Sequence, residues 1–502
     1  MAKKLNTVVL KKFRSFSFQN LDWKTVLLIL VVLAIIIRFP FFFRDYIDRD
    51  ESTFIIMGQS WANGHLPYTQ LWDLKPPMTF LFFAIIIKIF GKSFIAIRLF
   101  GSLIVALTAL FTYGIATKIT SKKIAFWVAI FCVFFQSLFG SLQGVMSEHI
   151  CTFFFVAGLY ILFLKDDQKW FFTSGLLLGI SVMTKLNMAY PVLSLGLYFL
   201  YEGFHKKQIS KNIVNLVFMG IGFFVTIAFT IMPYYLQGNI QVCWESIFEA
   251  PLAYSEGKFH SPLKTLPFVI VILGLLMAGF TLKIIDWKDK KLQILTVVIL
   301  GILLSYMQAG KVNGHYLIQL YPLILIPLGI AVGKLPPLKK RYQSIVIILL
   351  ILIPMESYLE YGNIISNKIK KGTFFNGEGI EVPAYITEHK LETKNIFFTE
   401  YHIGYWVLGE KPPTKAATHP SNITREEMFP YMENPRNTGM EELRYILEVI
   451  QPKTLVARKG KEIFDKKLVN YNTYIDAYLE KHYELTATVG RGLIYQRLEW
   501  FQ

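Results

Sequence analysis

Up to about residue 358 the chain alternates long apolar runs with short charged connections, and beyond that point the apolar runs stop. A helix needs roughly 20 apolar residues to cross the hydrocarbon core of a bilayer. Runs near that length stand at 24–43, 94–117, 124–143, 149–164, 170–184, 187–203, 213–235, 263–283, 292–309, 316–333 and 342–358, which predicts about eleven spans. A further run at 78–91, "MTFLFFAIIIKIFG", is short and carries Lys88, so it could cross or lie in the interface.

Loop charge decides between these two options. If 78–91 lies in the interface, Lys3, Lys4, Lys11, Lys12 and Arg14 share a side with Lys118, Lys122 and Lys123, with Lys206, Lys207 and Lys211, and with Lys283, Lys288, Lys290 and Lys291. Lys334, Lys339, Lys340 and Arg341 join them. This is the positive-inside pattern, and it inverts if 78–91 crosses. The expectation is a multi-pass protein of the cell (inner or cytoplasmic) membrane with a cytoplasmic N-terminus and an interfacial helix at 78–91. No small-residue cleavage site follows the first apolar run, so that run is expected to stay as an anchor. The same parity puts 48–77, "VMSEH", "TKLN", the 236–262 loop and "QAGKVNGH" on the outer face.

The C-terminal stretch reads as a soluble domain. "NIFFTE" and "KTLVAR" predict strands, "EELRYILEVI" a helix, and "YELTATVGRGLIYQRL" a hairpin with Gly490 and Gly492 near its turn. An odd number of spans places this domain outside. The predicted fold is a membrane all-α polytopic bundle over 1–359, with its first outer loop at 44–93, followed by a soluble α/β domain over 360–502. No repeat or low-complexity tract interrupts it.

Composition agrees: 53% of residues are hydrophobic, 17% are charged, and the mean hydropathy is +0.42. Soluble domains lie far from these values. The net charge of +17 sits in short loops where it orients helices, so nucleic acid is not an expected partner. Cys132, Cys151 and Cys243 fit neither a disulfide framework nor a metal-ligand spacing and read as core residues.

The outer side collects the candidate chemistry. Asp45, Asp48, Asp50 and Glu51 crowd the end of the first span, and "DESTFIIMGQSWANG" reads as a helix with its acids in the first turn. A carboxylate in such a partly dry site can have its basicity tuned. "LWDLKPP" fixes Lys75 before Pro76 and Pro77, which start the interfacial helix. A lysine there could merely snorkel, but a rigid junction suits a point charge that binds a phosphate and releases it. Lys185 in "MTKLNMAYP" could add a second cation. Glu148 starts a span, and His315 and Gln319 lie one helical turn apart at the start of another. Asp48-Arg49-Asp50 has the form of a DxD triplet and could bind a divalent cation such as Mg²⁺ or Mn²⁺; no other cofactor is expected.

Taken in order, "RDE", "LWDLKPP", "FGKSFIAIRLFGSL", "VMSEH", "GLLLGISVMTK", "NGHYLIQLYP" and "YWVLGEKPPTKAATHP" resemble the integral-membrane GT-C glycosyltransferases, in the branch of the bacterial aminoarabinose transferases and protein O-mannosyltransferase-like enzymes. The resemblance covers nearly the whole chain. It implies an inverting transfer of a sugar from a polyprenyl-phosphate donor to an acceptor lipid, glycan or protein on the outer face. Asp50 matches the family's general base and Lys75 the lysine on the lipid phosphate. Glu148 stands where many relatives carry an aspartate, which leaves it for acceptor orientation or cation binding. The expected site is therefore Asp50, Glu51 and Glu148 as catalytic acids, and Lys75, Lys185 and His315 on the lipid phosphate. Asp48, Tyr68, Trp72 and Gln319 are expected to contact donor or acceptor. A transporter or flippase of lipid-linked glycans is the alternative, but such proteins usually carry mid-bilayer charges and repeated halves, which this sequence lacks.

Overall fold

The computed structural model describes residues 21–257, 261–336 and 339–498. The five N-terminal basic residues of the charge pattern lie outside them. Every predicted run becomes helical, with Trp23–Phe43, Phe94–Thr117, Ile209–Leu236 and Lys290–Ala309 long and apolar enough to cross a membrane. A bent pair adds a fifth: Tyr342–Leu352 and Met355–Lys371 meet at 47°. Pro354 stands at that break, where it has no N–H to continue the helix. Shorter apolar helices include Pro77–Phe90, Ser147–Leu162, Leu266–Thr281 and Tyr321–Gly333. The boundary expected at 359 falls inside the helix Met355–Lys371.

Two runs read as continuous are interrupted. The helix Lys122–Phe135 ends well before residue 143, and Arg38 explains how the unwound stretch is tolerated. Its buried guanidinium donates to the carbonyl oxygens of Gln136 (3.1 Å), Leu142 (2.6 Å) and Gly144 (2.7 Å). Those carbonyls have lost their helical partners and would otherwise be buried unsatisfied. The run at 316–333 begins as a 3-10 turn over Gly314–Gln319, and the α-helix starts only at Tyr321, next to Pro322.

The basic connections gather at one end of the bundle. Lys291 donates to the Lys118 carbonyl (2.9 Å), Lys334 to that of Lys283 (3.2 Å), and Lys206 and Lys290 flank Glu202, each at 2.8 Å. In the middle, Gln168–Thr184 and Ile209–Leu236 cross with their backbones almost in contact. A Cβ built on Gly175 would come within 2.0 Å of the Met219 carbonyl oxygen, and one on Gly222 within 2.2 Å of that of Phe172.

The C-terminal part forms a four-stranded sheet, β1 Phe397–Phe398, β2 Thr454–Arg458, β3 Tyr483–Val489 and β4 Gly492–Arg497, in the order β1-β2-β4-β3. β1 pairs parallel to β2, and the other two pairings are antiparallel. The hairpin turns at Gly490, whose φ of +59° glycine adopts without strain. "NIFFTE" yields only two strand residues, Phe397 and Phe398, at one edge of the sheet.

This domain shares one continuous core with the first-loop helices Arg49–Ala62 and Pro77–Phe90. Trp406 stacks edge-on against Phe94 at 4.8 Å and donates its Nε1–H to Gln59 (3.0 Å), while Lys92 donates to the Trp406 carbonyl (2.9 Å). Beneath them lies the buried pair Glu51–Arg98. Arg98 Nη2 meets Glu51 Oε2 at 2.8 Å, and Glu51 Oε1 also accepts the Val145 N–H at 2.8 Å.

Two outcomes follow from this packing. Glu51→Ala strands the Arg98 guanidinium, so it should cost about 3–5 kcal/mol of stability; a thermal midpoint in detergent equal to wild type would contradict it. Gly175→Val has no room at the helix crossing, and overpacking of about 1–3 kcal/mol or more should lower the same midpoint, whereas Gly274→Val, which meets open space, should not.

Candidate functional site

Asp50 stands in the first turn of the helix Arg49–Ala62, which is capped by the Asp48 side chain accepting the Asp50 N–H at 2.8 Å. The other oxygen of Asp48 accepts from the Ser141 hydroxyl. The two oxygens of Asp50 look in different directions. Oδ2 meets Lys75 Nζ at 3.3 Å, and Oδ1 faces His419 Nε2 at 3.7 Å. Burial pushes the Asp50 carboxyl up, but its electrostatic partners, the Lys75 ammonium first among them and Lys185 with it, outweigh burial and hold the group below the ordinary aspartate range. Asp48 is pushed the other way, by its own burial and then by the charge of Asp50.

Lys75 is fixed from several sides. Its carbonyl accepts the buried Tyr68 hydroxyl at 2.6 Å, its N–H leans on Asp73 at 3.3 Å, and Pro76 and Pro77 follow at once to open the helix Pro77–Phe90. Burial lowers its proton affinity, and the charges of Asp50, Asp73 and Glu148 more than restore it. Lys75 therefore stays a cation with anions on several sides.

Glu148 is almost fully buried and ion-pairs with Lys185, while His315 Nε2 stands 3.7 Å from Glu148 Oε1. Lys185 also lies over the Tyr316 ring at 4.4 Å. Gln319 does not reach this centre. Its amide pairs head to tail with that of Asn187, at 2.9 and 3.0 Å, and so ties the Lys185 turn to the turn that carries His315. Trp72 is buried as well and donates to the Ser246 hydroxyl at 2.9 Å.

Residues predicted from five separate stretches thus meet: Asp50, Lys75, Glu148, Lys185 and His315, with Asp48 beside them. Glu51, expected next to Asp50 as a catalytic acid, has a different task. Consecutive helical residues point about 100° apart, and Glu51 faces Arg98 and the Val145 amide with both oxygens engaged. Tyr68, Trp72 and Gln319, expected as contacts to donor or acceptor, hold the loops instead. The DxD form does not translate into a cation cradle. Asp48 caps the helix and accepts a hydroxyl, Asp50 faces a lysine and a histidine, and no group of three or more His, Cys, Asp or Glu side chains gathers around them among the described residues.

His419 is the residue that reading the sequence missed. Its Nδ1 accepts the Ser421 N–H (3.1 Å), which leaves the ring proton on Nε2, toward Asp50. Burial, and then the charge of Arg425, keep this ring neutral by lowering its pKa. Its signal was present in "KAATHP", near the end of a tail motif.

Comparison with known proteins bears on this arrangement. Residues 74–232 match the family model described as dolichyl-phosphate-mannose-protein mannosyltransferase. A protein of Aquifex aeolicus (strain VF5) is 26% identical over 267 residues, which is 52% of this chain and 60% of that protein's length. The crystal structures of ArnT from Cupriavidus metallidurans, bound to undecaprenyl phosphate and in the apo state, superpose with TM-scores of 0.55 and 0.56. Identity to them is 14% and 13%, and in both cases the match covers 93% of this chain and 97% of ArnT. The resemblance to the GT-C glycosyltransferases is therefore shown, as a fold over nearly the whole chain and as a family match over residues 74–232.

Proposed function

We propose that this protein transfers a sugar from a polyprenyl-phosphate donor to an acceptor hydroxyl at the outer face of the membrane, with inversion at the anomeric carbon. The observation that carries the reading is the single carboxylate Asp50 paired with a lysine set on a proline-fixed turn, beside a second lysine, Lys185, that is itself paired with Glu148. The matching family is described by a dolichyl-phosphate sugar, and ArnT was crystallised with undecaprenyl phosphate, which supports a polyprenyl-phosphate donor here. The parity of the basic loops supports a cytoplasmic N-terminus, about eleven spans and an outer C-terminal domain.

In the proposed reaction the acceptor oxygen attacks the anomeric carbon and the bond from that carbon to the phosphate oxygen breaks. Its electron pair leaves with the phosphate, and Asp50 takes the hydroxyl proton. Lys75 and Lys185 meet the charge that grows on the leaving phosphate, a placement that stabilises the transition state more than the ground state. Glu148 keeps Lys185 charged and in place. His419, whose Nε2 stands 3.7 Å from Asp50 Oδ1, lies beside the base without taking its proton.

The ion pair gives the donor a switching role. While Lys75 faces Asp50, the carboxylate is a poor base. A bound phosphate competes for the lysine, and Asp50 then regains proton affinity next to the acceptor.

Asp50→Asn should lower donor consumption by about 10²–10⁴-fold without loss of fold. Lys75→Ala should lower kcat/KM for the donor at least as severely. Radiolabelled polyprenyl-phosphate sugars measure both, and variants that match wild type would overturn the reading. The acid limb of kcat/KM, which reports free protein, should lie below the ordinary aspartate range because Asp50 is held down there. The acid limb of kcat should lie at higher pH, because bound phosphate has drawn Lys75 away; coincident limbs would remove the switch.

A further inference from the structure

The helix Arg49–Ala62 carries Asp50 in its first turn and, near its end, one wall of a separate cavity of about 230 Å³. Ile56, Gln59, Ser60 and Asn63 line that wall, spaced as one face of a helix. Gln59 stands nine positions beyond Asp50, about 13 Å along the axis at 1.5 Å per residue, so the cavity is not part of the Asp50 centre. Gln70 and Lys92 close its sides, and the facing wall comes from between Tyr405 and Pro412. That stretch, "YWVLGEKP", opens the tail motif whose later part brings His419 to Asp50. No step of the proposed transfer uses it.

The polar side chains of this cavity use only part of their hydrogen-bonding capacity on one another. Gln59 accepts the Trp406 Nε1–H through its oxygen (3.0 Å) and donates from its nitrogen to the Asn63 oxygen (2.9 Å). The Gln70 oxygen accepts the Ser60 hydroxyl (3.1 Å), and Glu410 Oε1 accepts that of Thr393 (2.8 Å). Lys92 donates to the Trp406 carbonyl (2.9 Å). Left without a partner among the described residues are the amide nitrogens of Asn63 and Gln70, the Lys411 ammonium and Glu410 Oε2. A contact whose task was only to hold the C-terminal part in place would spend these groups across the join, as Trp406 and Lys92 do.

The mixture of donors with a carboxylate selects a ligand. A phosphoryl group needs donors alone and is repelled by Glu410, and an apolar ligand needs neither kind of group. A hydroxyl both donates and accepts, and two neighbouring hydroxyls match a planar amide or carboxylate. We infer that this cavity is a second carbohydrate site, which binds one uncharged pyranose unit by its neighbouring hydroxyls, away from the reacting centre. The volume is smaller than the roughly 300–1,000 Å³ of drug-sized sites and suits a single ring. The inference stands independently of the proposed transfer, because no residue of the cavity has a part in it. Lys92 precedes by two positions the helix Phe94–Thr117, which is long and apolar enough to cross a membrane, so the ring can arrive as a glycolipid head or on a free glycan.

Photolabelling of the full chain in a polyoxyethylene detergent, which carries no sugar of its own, tests the site with a diazirine-bearing methyl glucopyranoside. Mass spectrometry of the labelled peptides is expected to find the probe in 59–71 and 405–412. Unlabelled methyl glucoside, galactoside or mannoside should displace it where the same concentration of inorganic phosphate does not. In the double variant Gln70→Leu, Glu410→Gln, half-saturation of the labelling should need about ten-fold more probe, as expected when hydrogen bonds to a bound ligand are lost. Label at these peptides with a glucosyl-diacylglycerol probe in nanodiscs, and none with the soluble probe, supports the same site and assigns the ring to a lipid head. Label confined to other peptides in both arms overturns the inference, as does label displaced by phosphate as readily as by the glycosides, or a folded double variant labelled like wild type. If the double variant does not fold, the competition on the wild-type protein decides alone.

Discussion

A carboxylate held in a partly dry site needs a cation, and the cation that meets Asp50 is the one whose backbone is most tightly fixed. Tyr68, Asp73 and the two prolines leave Lys75 little freedom, so the pair is set by the loop rather than by two flexible side chains finding each other. That distinction matters energetically, because exposed ion pairs lose much of their gain to side-chain entropy. Here the entropy has been removed in advance by the packing of the first loop, and the pair remains available to be broken by a better anion than a carboxylate.

The same logic explains why the C-terminal part of the chain packs directly against the first-loop helices. His419 reaches Asp50 only if that domain is docked, and docking is carried by an apolar core shared with the first-loop helices and by charged links at its edge. Glu400 binds Arg49 one residue before the base, and the Gly379 N–H meets Asp45 a few residues earlier still. The C-terminal part thus grips the start of the helix Arg49–Ala62 on both sides, and the position of Asp50 depends on parts of the chain as far apart as Arg49 and Glu400, which are 351 positions apart in the sequence.

Hydropathy made the helical runs legible because it is a one-dimensional signal, and the order of the motifs pointed to Asp50, Lys75, Glu148, Lys185 and His315, which the structure brings near one another. What stayed hidden depends on direction or distance. Asp50 and Glu51 are adjacent letters, yet the helix turns one toward Lys75 and the other into the bundle toward Arg98. Arg38 and Arg98 look like charges at span ends, and only the fold shows them serving carbonyls and Glu51. The break at Pro354 could have been read from the proline, whereas the unwinding after Phe135 has no such marker and depends on an arginine from another helix. His419 carried no spacing signal toward Asp50, since their proximity is created entirely by domain docking.

The central claim is that donor phosphate takes Lys75 from Asp50. A structure of the full chain with polyprenyl phosphate bound measures this most directly. The account predicts phosphate oxygens within hydrogen-bond reach of Lys75 Nζ and an Asp50 Oδ2 that has lost its 3.3 Å contact with that nitrogen. A phosphate bound elsewhere, with the Lys75–Asp50 pair intact, would contradict it.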